Sequence, residues 1–316
     1  MTEQEKIEEQ IFLAVEDNDS IVVFGHKNPD GDCLGSVQGL KEALREYYPK
    51  KRIYSVGTYP SYIGAFAGKD DEVTDDIIRN SLAFMVDLSD LERVEDQRIH
   101  MAKSIVCIDH HMQNNILPFP VYRNDKAPSA TFIIASLLYK RFKEISPLTA
   151  TYLYLGLVTD SGRFQFDSEP ATFAIAAKLV KSGAKYKEIY RELYKQSSID
   201  LKYRSFIYQN FQFDGLVTYC VVHKEDYKAL GLDQNDASGK VNLLSMLDGH
   251  PIWAFFIEQD NGVIRVELRS DGTKNVQKVA TAFGGGGHIP AAGCRLTDFA
   301  AVSKVVAALN LAEEVK

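Results

Sequence analysis

The stretch IVVFGHKNPDGDCLGS, residues 21–36, decides how the rest of the chain is read. Its first four residues, Ile21-Val22-Val23-Phe24, are an apolar run of strand length that stops at Gly25. Asn28-Pro29 and Asp30-Gly31 are turn dipeptides, so the backbone must loop before a helix can begin. Leu34, Val37, Leu40, Leu44 and Tyr47 then recur at helical spacing. The loop is therefore a strand-to-helix turn carrying His26, Asp30 and Asp32. One imidazole and two carboxylates just past a strand end suit a hard divalent ion, which takes oxygen and imidazole ligands together. A polar turn whose aspartates cap the helix is the competing reading.

Upstream, Ile7, Ile11, Phe12 and Val15 predict an amphipathic helix. Downstream, residues 52–56 (RIYSV) read as a second strand and 59–76 as irregular. The run 82–86 ends in Asp87, and 104–108 ends in Asp109-His110-His111. Three apolar runs thus finish on His26, Asp87 and Asp109. In an open parallel sheet the carboxyl ends of the strands share one edge, where ligands bind. A turn needs only one small or polar residue, so three such endings point to a site. Helices are expected at 130–142, 152–158 (delivering Thr159-Asp160-Ser161-Gly162) and 169–182, with Gly183 as a C-cap. Strands alternating with helices imply an α/β domain, a parallel sheet with helices on both faces.

The charged stretch 186–211 lacks Gly and Pro and reads as a helical linker. Beyond it, 216–222, 253–257 and 263–268 are β-rich, followed by helices at 276–283 and 299–310 around GGGGH. The expected layout is two α/β domains, 1–185 and a smaller 212–316 joined by 186–211, with a cleft between them.

At 316 residues the chain has room for both. A net charge of −7 argues against a broad basic surface for long duplex nucleic acid or acidic membrane. Cys33, Cys107, Cys220 and Cys294 form no CxxC pair and read as reduced thiols, which with the charged, h-region-free start MTEQEKIEEQ favours a cytoplasmic location. No run of apolar residues is long enough for a membrane span.

Together GHKNPDGD, FMVD, IDHH and VTDSGRF resemble the four motifs of the DHH phosphoesterase superfamily, and RVELRSDG with GGGGHIPAAG resembles its DHH-associated domain. The resemblance covers about residues 7–310 and is strongest to bacterial enzymes that degrade very short oligoribonucleotides and dephosphorylate 3′-phosphoadenosine 5′-phosphate (pAp). It implies two divalent ions, with manganese favoured and magnesium or cobalt compatible. One would be held by His26, Asp30 and Asp87, the other by Asp32, Asp87, His110 and Asp160, with Asp87 bridging. That many carboxylates and imidazoles would over-neutralise a single ion, whereas two ions roughly 3.5–4 Å apart keep positions open for water and phosphate.

Asp109 is expected to fix the imidazole of His110 or its loop, and His111 to touch the scissile phosphate or assist the leaving group. In the second domain Gly284, Gly285, Gly286 and Gly287 can form an anion-binding nest, with His288 a donor beside it. Arg269, followed by Ser270, can grip a terminal phosphate, or else pair with Glu267 or Asp271. Cys33 and Glu267 depart from the family's commoner residues; a Glu267 facing the cleft would repel phosphate.

The expected substrates are single-stranded RNA of about two to five nucleotides and pAp, since no Lys/Arg stripe tracks a long strand. A cyclic- or linear-dinucleotide phosphodiesterase would carry the same metal motifs. A nucleotide-binding module without turnover is the non-enzymatic alternative. The oligomeric state is left open, a homodimer included.

Overall fold

The structure, a computed structural model, describes residues 3–59, 61–68, 71–112, 116–166 and 169–315. The irregular stretch expected at 59–76 therefore lies partly outside the described residues. The chain divides into two compact units, Met1–Lys195 and Gln196–Lys316.

The first unit contains α1 (Glu3–Glu16), β1 (Ser20–Phe24), α2 (Gly31–Tyr47), β2 (Arg52–Val56), α3 (Asp75–Arg79), β3 (Leu82–Val86) and β4 (Ser104–Asp109). It continues with β5 (Val121–Arg123), α4 (Ala130–Arg141), α5 (Pro147–Asp160), α6 (Pro170–Lys181) and α7 (Tyr186–Leu193). The sheet is all parallel in the order β2-β1-β3-β4-β5. Its order reverses between β1 and β3, the kind of switch point where open α/β sheets bind ligands.

Alternation along the strands sends Ile21, Val23, Leu82, Phe84, Val86 and Ile108 to one core with α1, α2 and α4–α7. Val22, Phe24, Ala83, Met85 and Cys107 go to the other, closed by Ile78 of α3 and by Val94 and Ile99. Both faces are covered, so β1 and β3 read as unbroken apolar runs.

One packing feature positions the site. Gly31, Gly35 and Gly39 repeat every four residues along α2 and meet Tyr152, Leu153, Gly156 and Thr159 of α5. A Cβ on Gly35 would stand 2.5 Å from the Tyr152 carbonyl oxygen. The two helices therefore touch backbone to backbone, and the C-terminus of α5 arrives beside the N-terminus of α2.

The second unit contains α8 (Ser198–Asn210), β6 (Gln212–Asp214), β7 (Val217–Val222), α9 (Lys224–Lys228), α10 (Gln234–Ala237), β8 (Ile252–Glu258) and β9 (Ile264–Ser270). It ends with α11 (Val276–Ala282), β10 (Gly286–His288), β11 (Ala291–Leu296) and α12 (Val302–Asn310). Its sheet runs β10-β11-β9-β8-β7-β6, with only β7 and β8 parallel. Val266, Leu268, Ala254 and Phe256 pack under α11 and α12; Cys220, Trp253, Phe255 and Ile257 pack under α8 to α10.

The stretch 186–211 is two helices, α7 and α8, interrupted around residues 194–197. All four cysteines are free and buried. Among the described residues no helix is long and apolar enough to cross a membrane.

Candidate metal centre

The carboxyl ends of β1, β3 and β4 and the facing ends of α2, α4 and α5 bring seven side chains together: His26, Asp32, Cys33, Asp87, His110, His111 and Asp160. They fall into three overlapping groups able to hold an ion: His26/Cys33/Asp87, Asp87/His110/His111 and Asp32/His110/Asp160. Asp87 and His110 are each shared by two groups.

Asp87 is the centre. It follows β3 directly and takes a left-handed backbone, φ +64°, which costs a non-glycine residue energy and persists where surroundings over-determine it. Its N–H donates to the Ile108 carbonyl (2.9 Å), tying that strained residue to β4. The side chain is 2% exposed. Oδ2 lies 3.4 Å from His26 Nε2 and Oδ1 3.4 Å from His110 Nε2, yet buried Oδ1 accepts no hydrogen bond. A buried carboxylate oxygen without a donor is costly unless a cation faces it.

The imidazoles are aimed by their other nitrogens. His26 Nδ1 is 2.9 Å from the Lys27 carbonyl and His110 Nδ1 3.2 Å from that of Ala127, which assigns the proton to Nδ1 in both. The Nε2 atoms are then directed at the carboxylates, the position from which a deprotonated ring would face a metal. Of the two roles expected for Asp109, fixing the His110 imidazole or fixing its loop, the hydrogen bonds fit the second. Asp109 Oδ1 accepts from His111 Nδ1 (2.8 Å) and from the His111 N–H (3.2 Å), while its Oδ2 accepts from the Ser89 hydroxyl. Asp109 therefore orients His111 and leaves that ring's Nε2 free.

Asp30 and Asp32 sit at the start of α2 with different partners. Asp30 Oδ1 caps the helix, accepting the N–H groups of Asp32 and Cys33 (3.0 Å each). It lies 3.9 Å from His26 Nε2, and the side chain is 56% exposed. The structure shows the capping reading for Asp30, which among the described residues joins none of the three groups. Asp32 is buried, 3.9 Å from His110 Nε2. Cys33 Sγ accepts the His26 N–H (3.3 Å), inside the first group of possible ligands. Asp160 closes α5, 3.3 Å from His110 Nε2. A carboxylate at a helix C-terminus faces the negative end of the dipole and needs a nearby cation. Gly162, Arg163 and Phe164, immediately after it, all have positive φ.

The protonation pattern shows the same demand for positive charge. Burial pushes Asp160 up to about 7, with Asp87 and Asp30 adding to it. Burial likewise raises Asp32, with Asp87 and Asp160 adding. Burial works against charge on His26 too, but Asp87 and Cys33 together outweigh it and the imidazole is pushed up to about 12. His110, opposed by burial and favoured by Asp87, Asp32 and Asp160, is pushed up to about 10. Protons thus take the positions that dications would fill, and imidazoles with clustered carboxylates are a donor set for divalent ions.

In the second unit, the strand register places His288, Ala291, Arg269 and Trp253 opposite one another, so Arg269 and His288 share a face. Arg269 donates to the carbonyls of Leu268 (2.8 Å) and Ala292 (3.5 Å) rather than to a carboxylate. Glu267, 5% exposed, is held by Arg265 Nε (3.0 Å) and the Gly239 N–H; Asp271 accepts from Thr273. The Ser270 hydroxyl closes a local turn by donating to the Lys274 carbonyl (2.6 Å).

The glycine run differs from the expected nest. The Gly284 and Gly285 N–H groups donate to Thr281 and Ala280 and finish α11, while Gly286, Gly287 and His288 form the edge strand β10. Gly287 has φ +136°, and a Cβ there would stand 2.6 Å from the Ala291 carbonyl oxygen. Close strand approach requires that glycine. Sequence reading placed α4 correctly but missed its contact with Asp32 and that of Ser89 with Asp109, since neither partner is near in sequence.

A parallel sheet whose switch-point edge gathers imidazoles and carboxylates is a candidate metal centre. The chain matches the DHH family, N-terminal domain, over residues 20–157 and the DHHA1 domain over 215–315. It is 34% identical, over 93% of both chains, to the bifunctional oligoribonuclease and PAP phosphatase NrnA of Mycoplasma genitalium. It is 31% identical to the Bacillus subtilis protein of that name, over 92% of this chain and 94% of the other. A solved exopolyphosphatase-related protein from Bacteroides fragilis shares the fold, with a TM-score of 0.88 at 23% identity over 97% of this chain and 96% of the other. This chain belongs to the DHH family of phosphoesterases, which are metal-dependent hydrolases.

Proposed function

We propose that the protein hydrolyses single-stranded oligoribonucleotides of about two to five nucleotides to mononucleotides and pAp to AMP. The observation that carries this reading is Asp87, a buried carboxylate with an unpartnered oxygen between two imidazoles aimed at it. The kinship with proteins named for both activities supports the choice of substrates. His26, Asp30 and Asp87 would hold one divalent ion and Asp32, Asp87, His110 and Asp160 a second, manganese best suiting the oxygen and nitrogen donors. Such ions supply Lewis-acid polarisation of a phosphoryl oxygen and lower the pKa of a water.

The chain's own groups do the rest. His111, fixed through Nδ1 by Asp109, presents Nε2 to the phosphoryl group or the departing oxygen. Arg269 and His288 share one sheet face and supply donors to a terminal phosphate. Residues 1–185 carry the chemistry, 186–211 connect, and 212–316 recognise the nucleotide.

Incubation with manganese and, separately, pAp, a linear dinucleotide, RNA of about 24 nucleotides and a cyclic dinucleotide tests this reading, with products resolved by chromatography. Turnover of pAp and the dinucleotide with the other two nearly untouched is the expected result. Rapid cleavage of the long RNA or the cyclic compound overturns the substrate choice. Binding without turnover overturns the enzyme.

A further inference from the structure

We propose that Thr131 is a positioning residue for Asp32, and that its hydroxyl and the first N–H groups of α4 make Asp32 a one-atom ligand through Oδ2. The inference rests on the metal reading of Asp32 above and adds how this chain builds that ligand.

Asp32 Oδ1 accepts the Thr131 hydroxyl (2.6 Å) and the Thr131 N–H (3.0 Å), and Oδ2 accepts the Ala130 N–H (2.6 Å). A carboxylate offers about four lone-pair positions, so three are occupied from α4. The remaining one is on Oδ2, the oxygen 3.9 Å from His110 Nε2. Asp32 and Thr131 are both buried, so water does not compete for these bonds. Charge-assisted bonds at the positive end of a twelve-residue helix favour an ionised Asp32 against the repulsion of Asp87 and Asp160.

Both branches of the threonine are used. Its methyl Cγ2 fills the notch left by Gly35 and Gly156, where a Cβ on Gly35 would stand 3.0 Å from it. That contact, with the stiffness of a β-branched side chain, holds the hydroxyl on Asp32. Ser129 Oγ lies 2.8 Å from Thr131 Oγ1; because Thr131 donates to Asp32, Ser129 is the donor to Thr131. Serine would keep the hydroxyl and lose the lock, whereas valine would keep the methyl and lose the donor.

The test is manganese binding by full-length parent, Thr131→Val, Thr131→Ser and Thr131→Ala, read from the electron paramagnetic resonance of free manganese, together with thermal melting. The parent should bind two ions. Thr131→Val should weaken one of them by about 10–100-fold and leave the other unchanged, with Thr131→Ser within about threefold of the parent. Thr131→Ala removes the donor without new bulk and gives the same reading should the valine variant not fold. Lower melting temperatures with both affinities intact would reduce Thr131 to a packing residue and overturn the proposal. A parent that binds no manganese would sink the metal reading itself, a result distinct from unchanged binding in the variants.

Discussion

The edge of the first unit's sheet and the Arg269–His288 face of the second present polar groups in opposite ways. At the first, Asp87, Asp109 and Asp32 are buried, and each is fixed by backbone strain, by Ser89 and His111, or by α4. At the second, His288 is exposed on a three-residue edge strand, and Arg269 is steadied by carbonyls of its own sheet and by the charge of Glu267. Convergent charges need a rigid surround because a small displacement changes their mutual energy steeply at low dielectric. Groups that meet a mobile polyanion can remain solvated, since the ligand supplies their partner. Under the proposed function, the difference would separate where chemistry is built from where recognition is built.

The largest effect that would break this comparison is at Asp87. Asp87→Asn should lower turnover of pAp by about a thousandfold or more and abolish tight manganese binding, because it removes the negative charge of the residue common to two of the ion groups and turns one of its two oxygens, which face His26 and His110, into an amide nitrogen. Turnover equal to the parent at matched manganese would remove Asp87 from the centre. Arg269→Ala should raise KM for pAp by about 10–100-fold with kcat little changed, as expected for a recognition contact. A fall in kcat at unchanged KM would instead move Arg269 into the chemistry.

Glycine substitutions sharpen the contrast. Gly35→Ala places a Cβ against the Tyr152 carbonyl and should destabilise the protein by about 1–3 kcal/mol in urea unfolding, with activity falling as Asp32 and Asp160 shift. Gly284→Ala meets open space and strains only a residue at φ +76°, so about 1 kcal/mol is expected. Equal losses would mean that the helix contact is no tighter than the open end of α11.

The smallest effect separates a structural carboxylate from the catalytic ones. Burial opposes the charge of Asp71, but Arg45 and the Ser55 N–H outweigh it and hold its carboxyl below the ordinary 3.8. A depressed folded value contributes stability above the unfolded value that is lost as pH falls through the folded one. Asp71→Asn should therefore cost about 1 kcal/mol near neutral pH, shrinking toward zero as the pH drops below 3.8. A cost that persists undiminished in acid would assign it to packing.

The strand-to-helix turn was legible because each strand that feeds the site is an apolar run, through Phe24, Val86 or Ile108, followed closely by a chemistry-bearing residue, His26, Asp87 or Asp109. The short strands β5, β6 and β10 were not legible. Three residues carry no period, and the glycines of β10 resemble a loop until β11 pairs with them. Local spacing also did not decide which imidazole Asp109 would hold. His110 and His111 adjoin it equally in sequence, and only the backbone at the end of β4 turns His111 onto its carboxylate.

By itself the sequence determined the parallel α/β domain, the family, and the residue types brought to the sheet edge, because periodicity and motif order are local properties of the chain. Tertiary structure decided which of those groups meet. Asp32 with the start of α4, 98 and 99 residues away, and α2 with α5 through their glycines are long-range contacts. Burial and dipole orientation, which exist only once helices have packed, turn a set of acids and imidazoles into a site that demands cations.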